Sequence, residues 1–315
     1  MPRCGMAAWT SADIPDQSGR VALVTGANSG LGLRTSLALA AKGARVLMGC
    51  RNEAKAATAR QQVAKAGGEA EVVALDLADL SSVQACAEAV ASQVDHLDLL
   101  VNNAGVLAHP HRLTADGFEM QFGTNHLGHF ALTGRLLPTL LAAEGPRVVT
   151  VSSSAHKMGR MQWDDLMFER RYRKWLAYGQ SKLANLLFTF ELDRRAAAAG
   201  TPLLAAAGHP GYANTHLQTA GPEISGSNLM VRGFELGNRL LAQSDEMGAL
   251  PQLYAATMPD VVGGEYFGPD RLGEIRGHPT RVRATSKARD GADGTRLWSI
   301  SEELTGVTYP WPTAS

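Results

Sequence analysis

Apolar runs alternate along this chain with alanine-rich segments of helical composition. Val21–Thr25, Arg45–Met48, Glu71–Leu75, Leu97–Val101, Arg147–Val151 and Leu203–Ala206 are mostly continuously apolar, as strands covered on both faces are. Between them, Leu31–Lys42, Glu53–Ala66, Ser81–Val94, Gly117–Ala143 and Tyr178–Ala199 read as helices. The alternation predicts a doubly wound α/β fold, a parallel sheet with right-handed crossovers and helices on both faces. Residues 1–19 read as an irregular N-terminal arm, 20–270 as one nucleotide-binding domain and 271–315 as a tail. Residues 209–245 are irregular apart from an apolar, helix-like Leu229–Leu241. The Arg-rich stretch Gly273–Asp290 reads as a solvated surface segment. Leu297, Trp298, Ile300 and Leu304 predict a short final amphipathic helix.

Composition narrows the classes of function. With 30 acidic and 30 basic residues in 315, a general nucleic-acid or anionic-membrane binder is not expected. Cys4, Cys50 and Cys86 are far apart and form no Cys-x-x-Cys or Cys/His cluster, so they suggest structural thiols and no metal. Met1–Thr10 holds one arginine and no sustained apolar stretch, unlike a signal peptide. No apolar run reaches the roughly 18 residues of a membrane span. The expectation is a soluble, cytoplasmic protein.

The candidate chemistry centres on Tyr178 and Lys182. They stand four apart in Tyr-Gly-Gln-Ser-Lys, at the head of a helix-like run, and therefore share one helix face. An ammonium beside a phenol favours the phenolate. Lowering a tyrosine from near 10 to near 7 takes roughly 4 kcal/mol of differential interaction. A tyrosine so tuned exchanges a proton with an alcohol at neutral pH. Such pairs also arise by chance on helices, and what surrounds this one decides its weight. None of the other tyrosines, at 172, 212, 254, 266 and 309, has a lysine four residues on.

Thr25-Gly-Ala-Asn-Ser-Gly-Leu-Gly32 follows the first strand and opens a helix. Gly26, Gly30 and Gly32 would let the backbone turn tightly and approach a pyrophosphate at the helix N-terminus. In the first strand–helix turn such a loop favours nucleotide binding over plain structure. The second strand ends in Leu47-Met-Gly-Cys-Arg-Asn52, with no carboxylate before Glu53. A ribose 2′-hydroxyl would want that carboxylate. Arg51 instead offers a planar fork of donors to a 2′-phosphate, or else is a solvated residue beginning the next helix. Asp76 either accepts from an adenine amino group or caps the following turn. Asn102-Asn-Ala-Gly105 ends the fourth strand, where ligands of such sheets bind.

Thr25–Gly32, Asn102–Gly105, Ser152-Ser153, Tyr178–Lys182 and Pro210-Gly211 stand in this order. On these motifs the chain resembles the short-chain dehydrogenase/reductase family over roughly residues 18–270. Thr124–Phe130, Ser181–Asn185 and His209–Gly211 look most like its retinol dehydrogenase and protochlorophyllide reductase group. The resemblance implies a Rossmann-type fold binding NADP. It implies Tyr178 as general acid/base, Lys182 as its tuner and ribose ligand, and Ser153 as the donor to the substrate oxygen. Ser152 and Ser154 compete for that last role, and register favours Ser153. Asn125 would hold a water in the proton relay from Lys182. Asn28, Ser29 and Leu31 would join the glycines at the pyrophosphate, with Arg51, Asp76 and Leu77 around the adenosine. Asn103, Ala104 and Gly105 would line the cleft. Pro210, Gly211 and Thr215 would embrace the nicotinamide. The helices starting near Gly117 and Tyr178 would pair copies into a homo-oligomer.

The chain departs from the family pattern at two points. The stretch between Ser153 and Tyr178 is long, and either shapes the substrate entrance or decorates the surface. No membrane anchor of the kind typical of animal retinol dehydrogenases is expected here, which puts retinoid substrates in doubt. The implied reaction is hydride transfer between NADP(H) and a carbonyl or alcohol, with Met158, Met161, Trp163, Leu217 and Leu229 as candidates for an apolar pocket or for ordinary packing. The rival is a non-catalytic NADP(H)-binding sensor or interaction protein, which would not need Ser153, Tyr178 and Lys182.

Overall fold

In a computed structural model, described for residues 8–212 and 243–312, eight strands form one sheet. They are β1 (Val21–Thr25), β2 (Arg45–Cys50), β3 (Glu69–Ala74), β4 (Leu99–Asn102), β5 (Arg147–Val151), β6 (Leu204–Gly208), β7 (Tyr266–Arg271) and β8 (Arg276–Arg281). Their order is β3-β2-β1-β4-β5-β6-β7-β8, and only the β7–β8 pair is antiparallel. The helices are α1 (Gly30–Ala40), α2 (Glu53–Lys65), α3 (Leu80–Gln93), α4 (Gly128–Leu141), α5 (Lys174–Ala198), α6 (Asp245–Thr257) and α7 (Gly291–Thr305). The six expected strands are present, with ends shifted by up to two residues.

Alternating side chains of β1 build two cores. Leu23 packs below the sheet with Val83, Phe130, Leu136 and Phe188. Ala22 and Val24 pack above it with Leu39, Ala56, Leu253 and Tyr254. Both faces are therefore dry, which is why the strands read as unbroken apolar runs. Order reverses between β1 and β4, and ligands of open α/β sheets bind in the crevice opened by that reversal.

Two segments differ from their expected form. The helix expected over Gly117–Ala143 begins only at Met120, after Gly117 turns with φ of 85°. It then passes through a π-helical turn, Gly123–Leu127, before α4. The stretch Gly273–Asp290, expected to be a solvated surface segment, contains strand β8, while the expected final helix is α7, with Leu297 and Trp298 in the core. The sheet therefore runs past residue 270. Gly268, Pro269, Gly277 and Pro279 hide both terminal strands from a reading based on strand propensity. Leu229–Leu241 and Thr215 lie outside the described residues.

Cys50 and Cys86 are buried free thiols, which burial pushes up to about 11 and about 12. Among the described residues no helix is long and apolar enough to cross a membrane.

Candidate active site

The glycine-rich turn is shaped by close approach. Gly26 takes φ of 66°, and a Cβ there would lie 3.1 Å from the Ala104 backbone. A Cβ on Gly32 would lie 2.3 Å from the Gly26 carbonyl oxygen and 2.6 Å from Asn103 Nδ2. Neither position can carry a larger residue without moving the loop. Ser29 caps α1 without a side-chain hydrogen bond. The helix therefore presents its first N–H groups toward the strand ends, the arrangement that receives phosphate. The cradle fits a dinucleotide pyrophosphate.

Thr25, at the end of β1, organises the neighbouring loop. Its hydroxyl accepts from the N–H groups of Asn103 and Ala104, each at 2.9 Å. His129 Nδ1 stands 3.0 Å from the Asn125 carbonyl, which can only accept, so Nδ1 carries the ring proton. Nε2 is then an acceptor, and the Thr25 hydroxyl donates to it at 2.9 Å. Burial lowers His129 to about 4 and keeps it neutral. Asn103 donates from Nδ2 to the Thr25 carbonyl at 2.7 Å and accepts from Gln252 at 3.1 Å. Its side chain thus holds the turn in place. His129 and Gln252 were not among the sequence candidates; the spacing of four between Asn125 and His129 is the signal that would have pointed to the first.

Tyr178 and Lys182 share α5, as their spacing required. Tyr178 keeps part of its ring exposed while its hydroxyl lies deep among protein atoms. The sequence reading expected the ammonium to pull this phenol down. Burial instead pushes it up to about 12, and the neighbouring Ser153 side chain acts in the opposite sense. Lys182 Nζ sits 5.8 Å from the Tyr178 ring centre and donates to the Val151 carbonyl at 3.0 Å. Its charge is directed at that carbonyl rather than at the phenol. Lys182 is itself lowered from 10.5 to about 8 by burial.

The three serines separate clearly. Ser152 is buried, and its hydroxyl donates to the Lys182 carbonyl at 2.8 Å, fastening β5 to α5. Ser153 is half-buried, caps the short helix Ser154–Lys157, accepts from the Ala155 N–H at 3.2 Å and reaches Tyr178. Ser154 is exposed.

Asn125 lies in the π-helical turn. Its side chain pairs with the Val106 backbone, accepting at 2.7 Å and donating at 3.0 Å, and also donates to Ser181 at 2.9 Å. A Cβ on Gly105 would lie 3.2 Å from Asn125 Oδ1 and 3.4 Å from Lys182 Nζ. Gly105, Asn125 and Lys182 therefore converge on one point. Arg51, exposed just past β2, stands 3.7 Å from Asp76. Asp76 accepts from the Ala78 N–H at 3.0 Å and so also makes the turn that the alternative reading proposed. Leu77 is buried in the lower core.

Between Ser153 and Tyr178, Met161 is buried, Trp163 stacks under Arg296 at 4.5 Å, and Tyr172 donates to the His109 carbonyl at 2.8 Å. Met158 is exposed. Leu217 and Leu229 fall outside the described residues.

A dinucleotide cradle beside a tyrosine, serine and lysine set defines a class of nicotinamide-dependent oxidoreductases. The chain belongs to the short chain dehydrogenase family, whose pattern matches residues 20–223. Within it, the chain falls in the retinol dehydrogenase-like group. It is 41% identical over 303 residues to retinol dehydrogenase 14 of Mus musculus, covering 92% of this chain and 86% of that one. It is 39% identical over 311 residues to retinol dehydrogenase 13 of Homo sapiens, covering 97% and 89%. Among solved structures, an uncharacterised protein from Mycobacterium Paratuberculosis superposes with a TM-score of 0.80 at 44% identity, over 96% of this chain and all of that one. A protein from Beutenbergia cavernae, described as an NAD(P) dependent gluconate 5-dehydrogenase with NADP at low occupancy, gives 0.64 at 27% identity, over 80% and 95%.

Proposed function

We propose that this protein interconverts an apolar aldehyde or ketone and its alcohol, using NADP(H). The observation that carries the reading is the placing of Ser153 beside Tyr178, one helical turn from Lys182 and beside the glycine cradle. Bound NADPH would supply the hydride. Tyr178, protonated at neutral pH, would give its proton to the carbonyl oxygen as charge builds there. Ser153 would hold that oxygen. Lys182 would bind the nicotinamide ribose, and Arg51 a 2′-phosphate. The names of the relatives favour an alcohol–carbonyl couple, and the exposed Met158 suits an apolar substrate.

Purified protein assayed for NADPH consumption against a panel of aldehydes and ketones tests the reading. Tyr178→Phe should lower turnover at least about a hundredfold while NADPH affinity stays nearly intact. Ser153→Ala should impair turnover more than Ser152→Ala or Ser154→Ala. Turnover of Tyr178→Phe within a few-fold of wild type would remove the assignment. Tight NADPH binding with no turnover on any compound would favour a binding-only protein.

A further inference from the structure

The β7–β8 turn wraps the loop His209-Pro-Gly211 that leaves β6. The Tyr212 N–H donates to the Ile275 carbonyl at 2.8 Å. Gln243 donates to the Pro210 carbonyl at 2.6 Å and accepts from the Gly277 N–H at 3.0 Å. Gly211 takes φ of 65°, and a Cβ there would lie 2.3 Å from the Ile275 carbonyl oxygen. Loop and hairpin are thus packed backbone against backbone.

One side chain of that hairpin reaches further. Glu274 takes φ of 70°, a left-handed conformation that costs free energy in a residue other than glycine. Its Oε2 lies 2.9 Å from Lys157 Nζ and 3.3 Å from His209 Nε2. Lys157 ends the short helix that Ser153 caps. His209 is fully buried, and its Nδ1 accepts the Gly211 N–H at 3.2 Å. Nδ1 therefore has no proton, and the ring N–H is carried by Nε2, the atom beside Glu274. That buried N–H makes no hydrogen bond of ordinary geometry among the described residues, so its close contact is the carboxylate at 3.3 Å. The neighbouring charge also favours a carboxylate: Lys157 faces the same place, and Glu274 is held down at about 2 by His209 and Lys157.

We propose that Glu274 is a positioning residue for cofactor binding, fixing His209 and through it the Pro210-Gly211 loop; this rests on the reading above that the loop embraces the nicotinamide. The serine turn has its own support, since His156 Nδ1 donates to the Ser153 carbonyl at 2.7 Å. The loop is the part that depends on Glu274. The sign of the effect separates positioning from general electrostatics. Removing a negative charge near an anionic dinucleotide would by itself strengthen binding, whereas loosening the loop weakens it.

NADPH titration and steady-state kinetics on Glu274→Gln decide the matter. The dissociation constant and KM for NADPH should rise about tenfold, with kcat within about threefold of wild type. Should that variant fail to fold, Lys157→Met removes one arm of the clamp and should raise both constants by about two- to fivefold. A folded Glu274→Gln with both constants within about twofold of wild type, or with a loss confined to kcat, overturns the proposal and leaves the proposed function standing. A wild-type chain that binds neither NADPH nor NADH overturns both.

Discussion

Arg51 is a mostly exposed guanidinium that stands 3.7 Å from the Asp76 carboxylate. An ion pair in that setting contributes little, so exchanging the carboxylate for a phosphate would cost little. Arg51→Ala is expected to weaken NADPH binding about tenfold, the scale of one hydrogen bond to a charged group, and to leave NADH binding nearly unchanged. Titrating both cofactors into both proteins checks this, and equal losses would make Arg51 structural. At this scale the sequence was legible where the chemistry is local. Tyr178 and Lys182 need only a spacing of four, and the glycine turn only its strand and helix. It was silent where partners are distant: Thr25 meets His129 across 104 positions and Thr35 meets Gln252 across 217. The direction in which Tyr178 shifts was misread because spacing reveals neither the burial that pushes the phenol up nor that the ammonium turns to the Val151 carbonyl.

At the scale of elements, the central strands announced themselves because both of their faces are dry, and the terminal hairpin did not because prolines and glycines fill it. The last helix shows what the tail contributes. Trp298 of α7 is stacked on Phe188 at 5.9 Å, meets Phe130 at 5.1 Å and Tyr309 at 4.4 Å edge-on or tilted, and lies under Arg195 at 4.5 Å. It is 2% exposed. Trp298→Ala should lower unfolding free energy by roughly 3–5 kcal/mol, the usual cost of a cavity of that size. Urea unfolding measures it, and a loss below about 1 kcal/mol would mean that α7 is only docked on the surface. The π-helical turn was invisible to composition, since Gly123–Leu127 has no breaker that separates it from an ordinary helix.

At the scale of the whole molecule, the neutrality of the buried His126 and His129 is a condition of the fold. Burial lowers His126 from 6.5 to about 3 and His129 to about 4. In the unfolded chain both take protons near 6.5, while in the folded chain they do not until pH 3–4. Their contribution to stability is therefore complete above pH 6.5 and is lost as pH falls toward 4. With two protons, the loss approaches about 2.7 kcal/mol per pH unit in the lower part of that window. Urea unfolding at pH 7, 6 and 5 should show it, and His126→Leu should roughly halve the slope. A slope unchanged in that variant would shift the cause to other groups. The two ends of the strand order carry a different consequence. The β3 rim presents Glu69 and Glu71, and the β8 rim presents Arg276, Arg281 and Pro279, which has no N–H to offer. Charged and proline-bearing rims resist the addition of a strand from another molecule. Neither growth into a continuous intermolecular sheet nor strand exchange is favoured at these rims.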